Sequence, residues 1–126
     1  ACIKYGAMSA RVAACPISAN YALMPGDFGR LRHVVKLVRP AVVFAESAAT
    51  FKRALENVDF GDAIIVTDDP GRLTKPAVAW RDLLSTPVSA EVEASIAAID
   101  PDAATAYMLT SGSTSLPKAV IQTQRM

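Results

Sequence analysis

Phe28, Leu31, Val34, Val35 and Val38 fall on one face of a helix predicted over 28–39, and Arg30, Arg32, Lys36 and Arg39 fill the rest of it. Asp27, after the Pro25-Gly26 turn, is placed to cap this helix. Cations gather toward its C-terminal end, where the helix dipole favours them, and Pro40 stops it. The pattern then changes. Ala41-Val42-Val43-Phe44-Ala45 is a short run rich in β-branched residues, which predicts a buried strand. Ser47 is placed to cap a second helix over 48–57, with Phe51, Ala54, Leu55 and Val58 spaced for one face. Ala63-Ile64-Ile65-Val66-Thr67 predicts another buried strand, closed by the turn Asp68-Asp69-Pro70-Gly71. Helix, strand, helix, strand with short connections predicts an α/β chain: a parallel or mixed β-sheet flanked by helices, with these two strands in one sheet.

The flanking segments are less regular. Residues 2–12 carry a loose helical pattern with Gly6 as its weak point, and Cys15 to Tyr21 reads as an extended stretch followed by a loop, because Pro16 biases its predecessor toward extended geometry. Pro70, Gly71, Pro76 and Pro87 break up 70–88, leaving a helical turn or two over 78–84, where Trp80 is expected to pack its ring against the sheet. A short helix over 89–98 and a break at Asp100-Pro101-Asp102 lead to a strand over 104–109, and a second strand-like run covers 119–123.

Composition narrows the function classes. The 126 residues are 52% hydrophobic, which suits one small domain or a piece of a larger one and is too apolar for a disordered tail. Thirteen Lys and Arg against twelve Asp and Glu leave a net charge of +1, which disfavours nucleic-acid binding carried by bulk charge. The longest apolar runs are far short of the ~18–20 residues of a membrane span. One bridge between Cys2 and Cys15 stays open, but a reduced, cytoplasmic setting is the expectation, and neither cysteine belongs to a metal-ligand pattern. The first fifteen residues lack the continuous apolar stretch of a signal peptide. They also begin without Met and without a helix cap, as a chain cut inside an element would.

The candidate chemistry lies in the last quarter. Thr110-Ser111-Gly112-Ser113-Thr114-Ser115-Leu116-Pro117-Lys118 falls between two predicted strands. Small residues let backbone amides converge on phosphate oxygens, hydroxyls add donors, and Lys118 supplies a mobile positive charge, so the segment suits a polyanion. Composition alone favours a plain solvated loop. The segment is not the usual nucleotide P-loop, which needs Gly before the Lys and Ser or Thr after it, where Pro117 and Ala119 stand; nor is it a GxSxG elbow. His33, the basic face of 30–39, Asp68-Asp69 and the methionines Met8, Met24 and Met108 are expected to be structural: a surface or packing histidine, a solvated face, a polar turn and core filling.

The longer segment Tyr107-Met108-Leu109-Thr110-Ser111-Gly112-Ser113-Thr114-Ser115-Leu116-Pro117-Lys118-Ala119 resembles the phosphate-binding motif of adenylate-forming enzymes, the acyl-CoA synthetases, luciferases and peptide-synthetase adenylation domains. Ser115 and Ala119 stand where that family usually has Gly. If the first of these needs positive φ, Ser115 strains the loop by ~1 kcal/mol or more. Upstream, 16–23, 27–33 and 40–45 are similar to the feruloyl-CoA synthetase branch, as is the tail 118–126, with Gln124 where many relatives carry His.

The resemblance implies a partial adenylation-domain fold: residues 1–126 as part of a large N-terminal AMP-binding domain, truncated at both ends. It implies a cytoplasmic acid–thiol ligase using ATP, Mg2+ and coenzyme A, with a small carboxylic acid, hydroxycinnamic such as ferulic, as substrate, and neither nucleic acid nor membrane as partner. Thr110, Ser111, Gly112, Ser113, Thr114 and Lys118 are then the phosphate-binding residues. The acyl pocket, the acidic magnesium and ribose residues and the catalytic lysine are expected outside 1–126, so this segment alone is expected to be inactive. The alternatives are adenylation of another acyl or aryl acid, transfer to a carrier protein, or a degenerate domain without nucleotide binding.

Overall fold

The computed structural model describes residues 2–87, 89–110, 116–123 and 125. In chain order its elements are α1 (Cys2–Ser9), α2 (Asn20–Leu23), α3 (Gly29–Val38), β1 (Val42–Ala45), α4 (Ala48–Asn57), β2 (Ile64–Thr67), a 3-10 turn (Pro70–Arg72), β3 (Ala77–Ala79), α5 (Trp80–Leu84), α6 (Ala90–Ala97), β4 (Ala104–Thr110) and β5 (Lys118–Thr123). They fall into two compact units, Ser18–Thr86 and a second made of Ala1–Ile17 with Pro87–Met126.

The first unit is built on a parallel sheet in the order β1-β2-β3, with Val42 opposite Ile64, Ala45 opposite Thr67, and Ile65 opposite Ala77. Paired residues of an in-register parallel sheet share a face. Ala45 and Ile65 therefore lie together, in a core completed by Phe28, Leu31 of α3, Ala54 and Leu55 of α4, Val58 and Phe60. The other face is more open: Val42, Phe44 and Ile64 are 51%, 38% and 54% exposed, so β1 and the start of β2 are not buried strands as their composition predicts. An unbroken apolar run does not reveal whether one or both faces are covered. Trp80 does pack against the sheet, its ring edge-on to Phe44 at 5.7 Å, but on this open face.

The helix boundaries reflect local bonding. Ser47 caps α4 as expected, its Oγ accepting from the Thr50 amide at 3.2 Å. Asp27 Oδ1 accepts the Gly29 amide at 3.1 Å, yet α3 begins one residue later than a simple Asp27 cap implies. Phe28 intervenes in the left-handed region at φ 61. Its ring is buried in the core beneath the Arg53 guanidinium, 4.9 Å from the ring centre, while Arg32 binds the carbonyls of Asp27 and Asn57. Arg39, also left-handed, ends α3 ahead of Pro40, which disfavours helical geometry in its predecessor. Two short elements escape the pattern: α2, within a segment expected to be loop, and β3, three residues whose alanines carry little strand signal.

In the second unit, α1 stops at Ser9, short of the predicted helix, and the chain runs on through Ala14, which pairs parallel with Ala106. The Ala14 amide donates to the Thr105 carbonyl at 3.0 Å, and the Tyr107 amide to the Ala14 carbonyl at 2.8 Å. On its other edge β4 pairs antiparallel with β5, with an irregularity between Ala104 and Ala106. Ser95 of α6 joins α1 by donating to the Ser9 carbonyl and accepting from Arg11. Among the described residues no helix is long and apolar enough to cross a membrane.

Candidate phosphate-binding site

The β4–β5 hairpin carries the candidate loop. Its register runs from Ala104 opposite Thr123 to a last pair, Thr110 opposite Lys118, so residues 111–117 join the two strand ends. Ala106 is buried between the Ala14 bridge and β5, which gives the strand a fixed inner end, while Thr110 and Lys118 at the outer end are exposed. Pro117 is fully buried just ahead of Lys118, anchoring the returning chain.

Of the six sequence-predicted binding residues, the structure brings Thr110 and Lys118 together. The Thr110 hydroxyl donates to the Lys118 carbonyl at 3.3 Å. Ser111, Gly112, Ser113 and Thr114 lie outside the described residues, as does Ser115. Among the described residues the ion pairs are Arg72–Asp69 and Arg125–Asp102, so no carboxylate there neutralises Lys118. An exposed ammonium at the mouth of a loop rich in small hydroxyl residues can meet a polyanion with its charge intact.

A second place suited to an anion is the N-terminus of α4, at the C-terminal ends of the parallel strands, and the protein fills it itself. Asp68 Oδ1 accepts the Ala48 amide at 2.7 Å, the Asp69 amide at 2.8 Å and the Thr67 hydroxyl at 3.2 Å, while Ser47 takes the Thr50 amide. The Ala48 amide, more than the other partners, holds the Asp68 carboxyl below the ordinary aspartate range. Sequence reasoning treats Asp68-Asp69 as a polar turn, which matches its place, but misses the reach to α4. An acidic residue directly after a β2-type strand, one crossover beyond a Ser-capped helix, is the signal that was available.

The remaining candidates are occupied or inert. Among the described residues no group of three or more His, Cys, Asp or Glu converges to hold a metal ion. Cys15 is a free, half-buried thiol whose pKa is raised by burial, which makes it a poor nucleophile at neutral pH. An open cleft of about 600 Å³ runs past Asp59–Ile65 and Lys75–Val78. Its one cation is committed, because the Lys75 ammonium donates to the Val58 carbonyl at 2.7 Å and sits 5.6 Å from the Phe60 ring centre.

The sequence motif lies between two strands, as expected, and comparison with known proteins agrees with it at the level of family. A family model for AMP-binding enzymes matches residues 1–126, and the chain belongs to that family. The crystal structure of VinN matches 97% of the chain at 25% identity and a TM-score of 0.61, and a structure of VinN with 3-methylaspartate matches the same share at 25% identity and 0.57. The chain spans 27% and 29% of those two VinN chains. No curated protein matches it. The α/β class and the partial adenylation-domain fold expected from the sequence therefore hold.

Proposed function

We propose that residues 1–126 form part of the AMP-binding domain of a longer adenylate-forming ligase, and that the 110–118 segment holds the β- and γ-phosphates of ATP. The observation that carries this reading is the hairpin: the motif's first hydroxyl residue and its lysine are the facing ends of two paired strands, in a chain of the AMP-binding family. The carboxylate of the acid substrate attacks the α-phosphorus, the bond to the bridging oxygen breaks, and an acyl-adenylate and pyrophosphate result. Lys118 and loop donors from Thr110 to Thr114 offset the charge that builds on the departing pyrophosphate. A thiolate, that of coenzyme A in this reading, then displaces AMP to give a thioester. Magnesium accompanies ATP and neutralises phosphate charge; among the described residues no cluster of three or more His, Cys, Asp or Glu converges to hold it.

For the acid, the similarity of 16–23, 27–33 and 40–45 to feruloyl-CoA synthetases supports a hydroxycinnamic acid. The VinN complex with 3-methylaspartate favours a second reading, an amino acid of the aspartate type. ATP–pyrophosphate exchange by the full-length protein, across ferulate, coumarate, benzoate, fatty acids and amino acids, separates them. Exchange with ferulate or coumarate supports the first, exchange with an aspartate-like acid alone supports the second, and folded protein with no exchange on any acid contradicts the ligase reading.

A further inference from the structure

We infer that the outward half of α3 is a docking surface for an acidic protein segment. Arg30, Lys36 and Leu37 of the helix are exposed, as is Arg39 directly after it, and α3 contains no acidic residue. Arg32 lies on the same half, but its guanidinium is bonded to the carbonyls of Asp27 and Asn57. The other three cations are uncompensated: among the described residues the ion pairs are Arg72–Asp69 and Arg125–Asp102. Two carboxylates beside the helix are turned to backbone amides instead. Asp27 takes the Gly29 amide, and Asp59, which shares a small hollow with Lys36, takes that of Gly61.

Folding accounts for only part of this charge. Lys36 and Arg39 suit the C-terminal end of a helix, but Arg30 stands in the first turn, where the dipole disfavours a cation and no acid offsets it. Arg32 and Lys36 are four residues apart and Lys36 and Arg39 three, spacings at which like charges repel. A surface that works against its own helix is expected where that surface has another use. The geometry also selects the partner. From Arg30 to Arg39 the helix rises about 13 Å, too far for one phosphate-sized anion to meet both ends. A lipid surface needs an apolar face to insert, whereas Leu31 and Val34 are buried in the protein, leaving Leu37, 47% exposed, as the exposed large apolar side chain of α3. A chain of net charge +1 is poorly suited to a nucleic-acid backbone. An extended acidic segment with an apolar side chain to meet Leu37 satisfies both the cations and the apolar spot between them.

The probe is a labelled peptide of glutamate with a leucine at every fourth position, titrated with the full-length protein at low and at moderate salt and read by fluorescence anisotropy. Wild type is expected to bind at low salt and more weakly as salt rises. Reversing three charges together, Arg30→Glu, Lys36→Glu and Arg39→Glu, should weaken binding by about 10-fold or more. The same number of reversals at exposed cations elsewhere, Lys4→Glu, Lys52→Glu and Arg81→Glu, should weaken it less than about threefold. Leu37→Ser should weaken it measurably with charge unchanged. Equal losses from the two triple variants would mean that net charge alone attracts the peptide and would overturn the inference, as would a wild type that does not bind at low salt. Anionic lipid vesicles or a DNA duplex that depend on the three α3 cations more steeply than the peptide does would also overturn it, by giving the surface to another class of partner. If the triple reversal does not fold, Arg30→Gln, Lys36→Gln and Arg39→Gln together replace it. ATP–pyrophosphate exchange is not a readout here, so a failure of the ligase reading and a failure of this one are separate results.

Discussion

Asp68, just beyond the end of β2, reaches across to Ala48 at the start of α4 and accepts its amide at 2.7 Å. The carboxylate thereby takes the place that an anionic ligand would occupy at a helix N-terminus. This relationship closes one anion-binding position of the parallel sheet unit.

The Asp68 carboxyl is held below its ordinary value in the folded chain, chiefly by the Ala48 amide. A depressed folded value means that the stabilisation is fully present above the unfolded pKa, near ~3.9, and is lost as pH falls through the folded value. Glu56, lowered mainly by its side-chain bond from Thr74, has the same sign. Replacing Asp68 by Asn, which keeps an oxygen acceptor but does not titrate, is therefore expected to shrink the acid-side loss of Tm between pH 5 and 2, an interval taken as roughly spanning both titrations. It should leave a residual slope from Glu56. An unchanged acid slope would mean that the Ala48 contact carries no weight in folding.

Ser47 caps α4 through the Thr50 amide, so Ser47→Ala should lower stability by about 1 kcal/mol, and Ser47→Asp should recover most of it. Denaturant unfolding of the full-length protein and the two variants measures this. Equal stability of Ser47→Ala and wild type would show that the capping bond is not formed in solution.

One-sided burial of β1 and the start of β2 predicts a sharp contrast between neighbours in sequence. Ile65, 3% exposed in the core, should cost ~2–5 kcal/mol on truncation to alanine. Ile64, 54% exposed on the open face, should cost under about 0.5 kcal/mol when changed to threonine, which keeps the β-branch. Midpoints of chemical unfolding for the two variants decide it. A loss of several kcal/mol at Ile64 would mean that the open face is covered in the full-length protein.

Much of this was legible in the sequence, and the gaps have physical causes. Phe28, Leu31 and Val34 mark α3 because a helix repeats its face every three to four residues, and Ser47 marks the start of α4 because its side chain has an amide to satisfy. The left-handed turn at Phe28 was not legible, since it depends on Arg53 and Arg32, whose partners are distant in the chain. Nor was the open face of β1, because Val42 and Phe44 look the same to a periodicity analysis whether or not something lies over them. At the site, Lys118 and the small hydroxyl residues stood out through the motif, whereas the direction of the Thr110 hydroxyl follows from hairpin register, which local composition does not encode.

The measurement that bears most directly on the central proposal is ATP–pyrophosphate exchange by the full-length protein with and without Lys118→Ala, each checked for folding by its Tm. Lys118 is exposed at the end of β5, so the change should leave Tm within a degree or two, roughly what an exposed-site substitution allows. Exchange should fall by about 100-fold or more, as expected for loss of a charged group that stabilises developing phosphate charge. Exchange that survives the substitution undiminished would contradict the assignment of nucleotide phosphates to this loop.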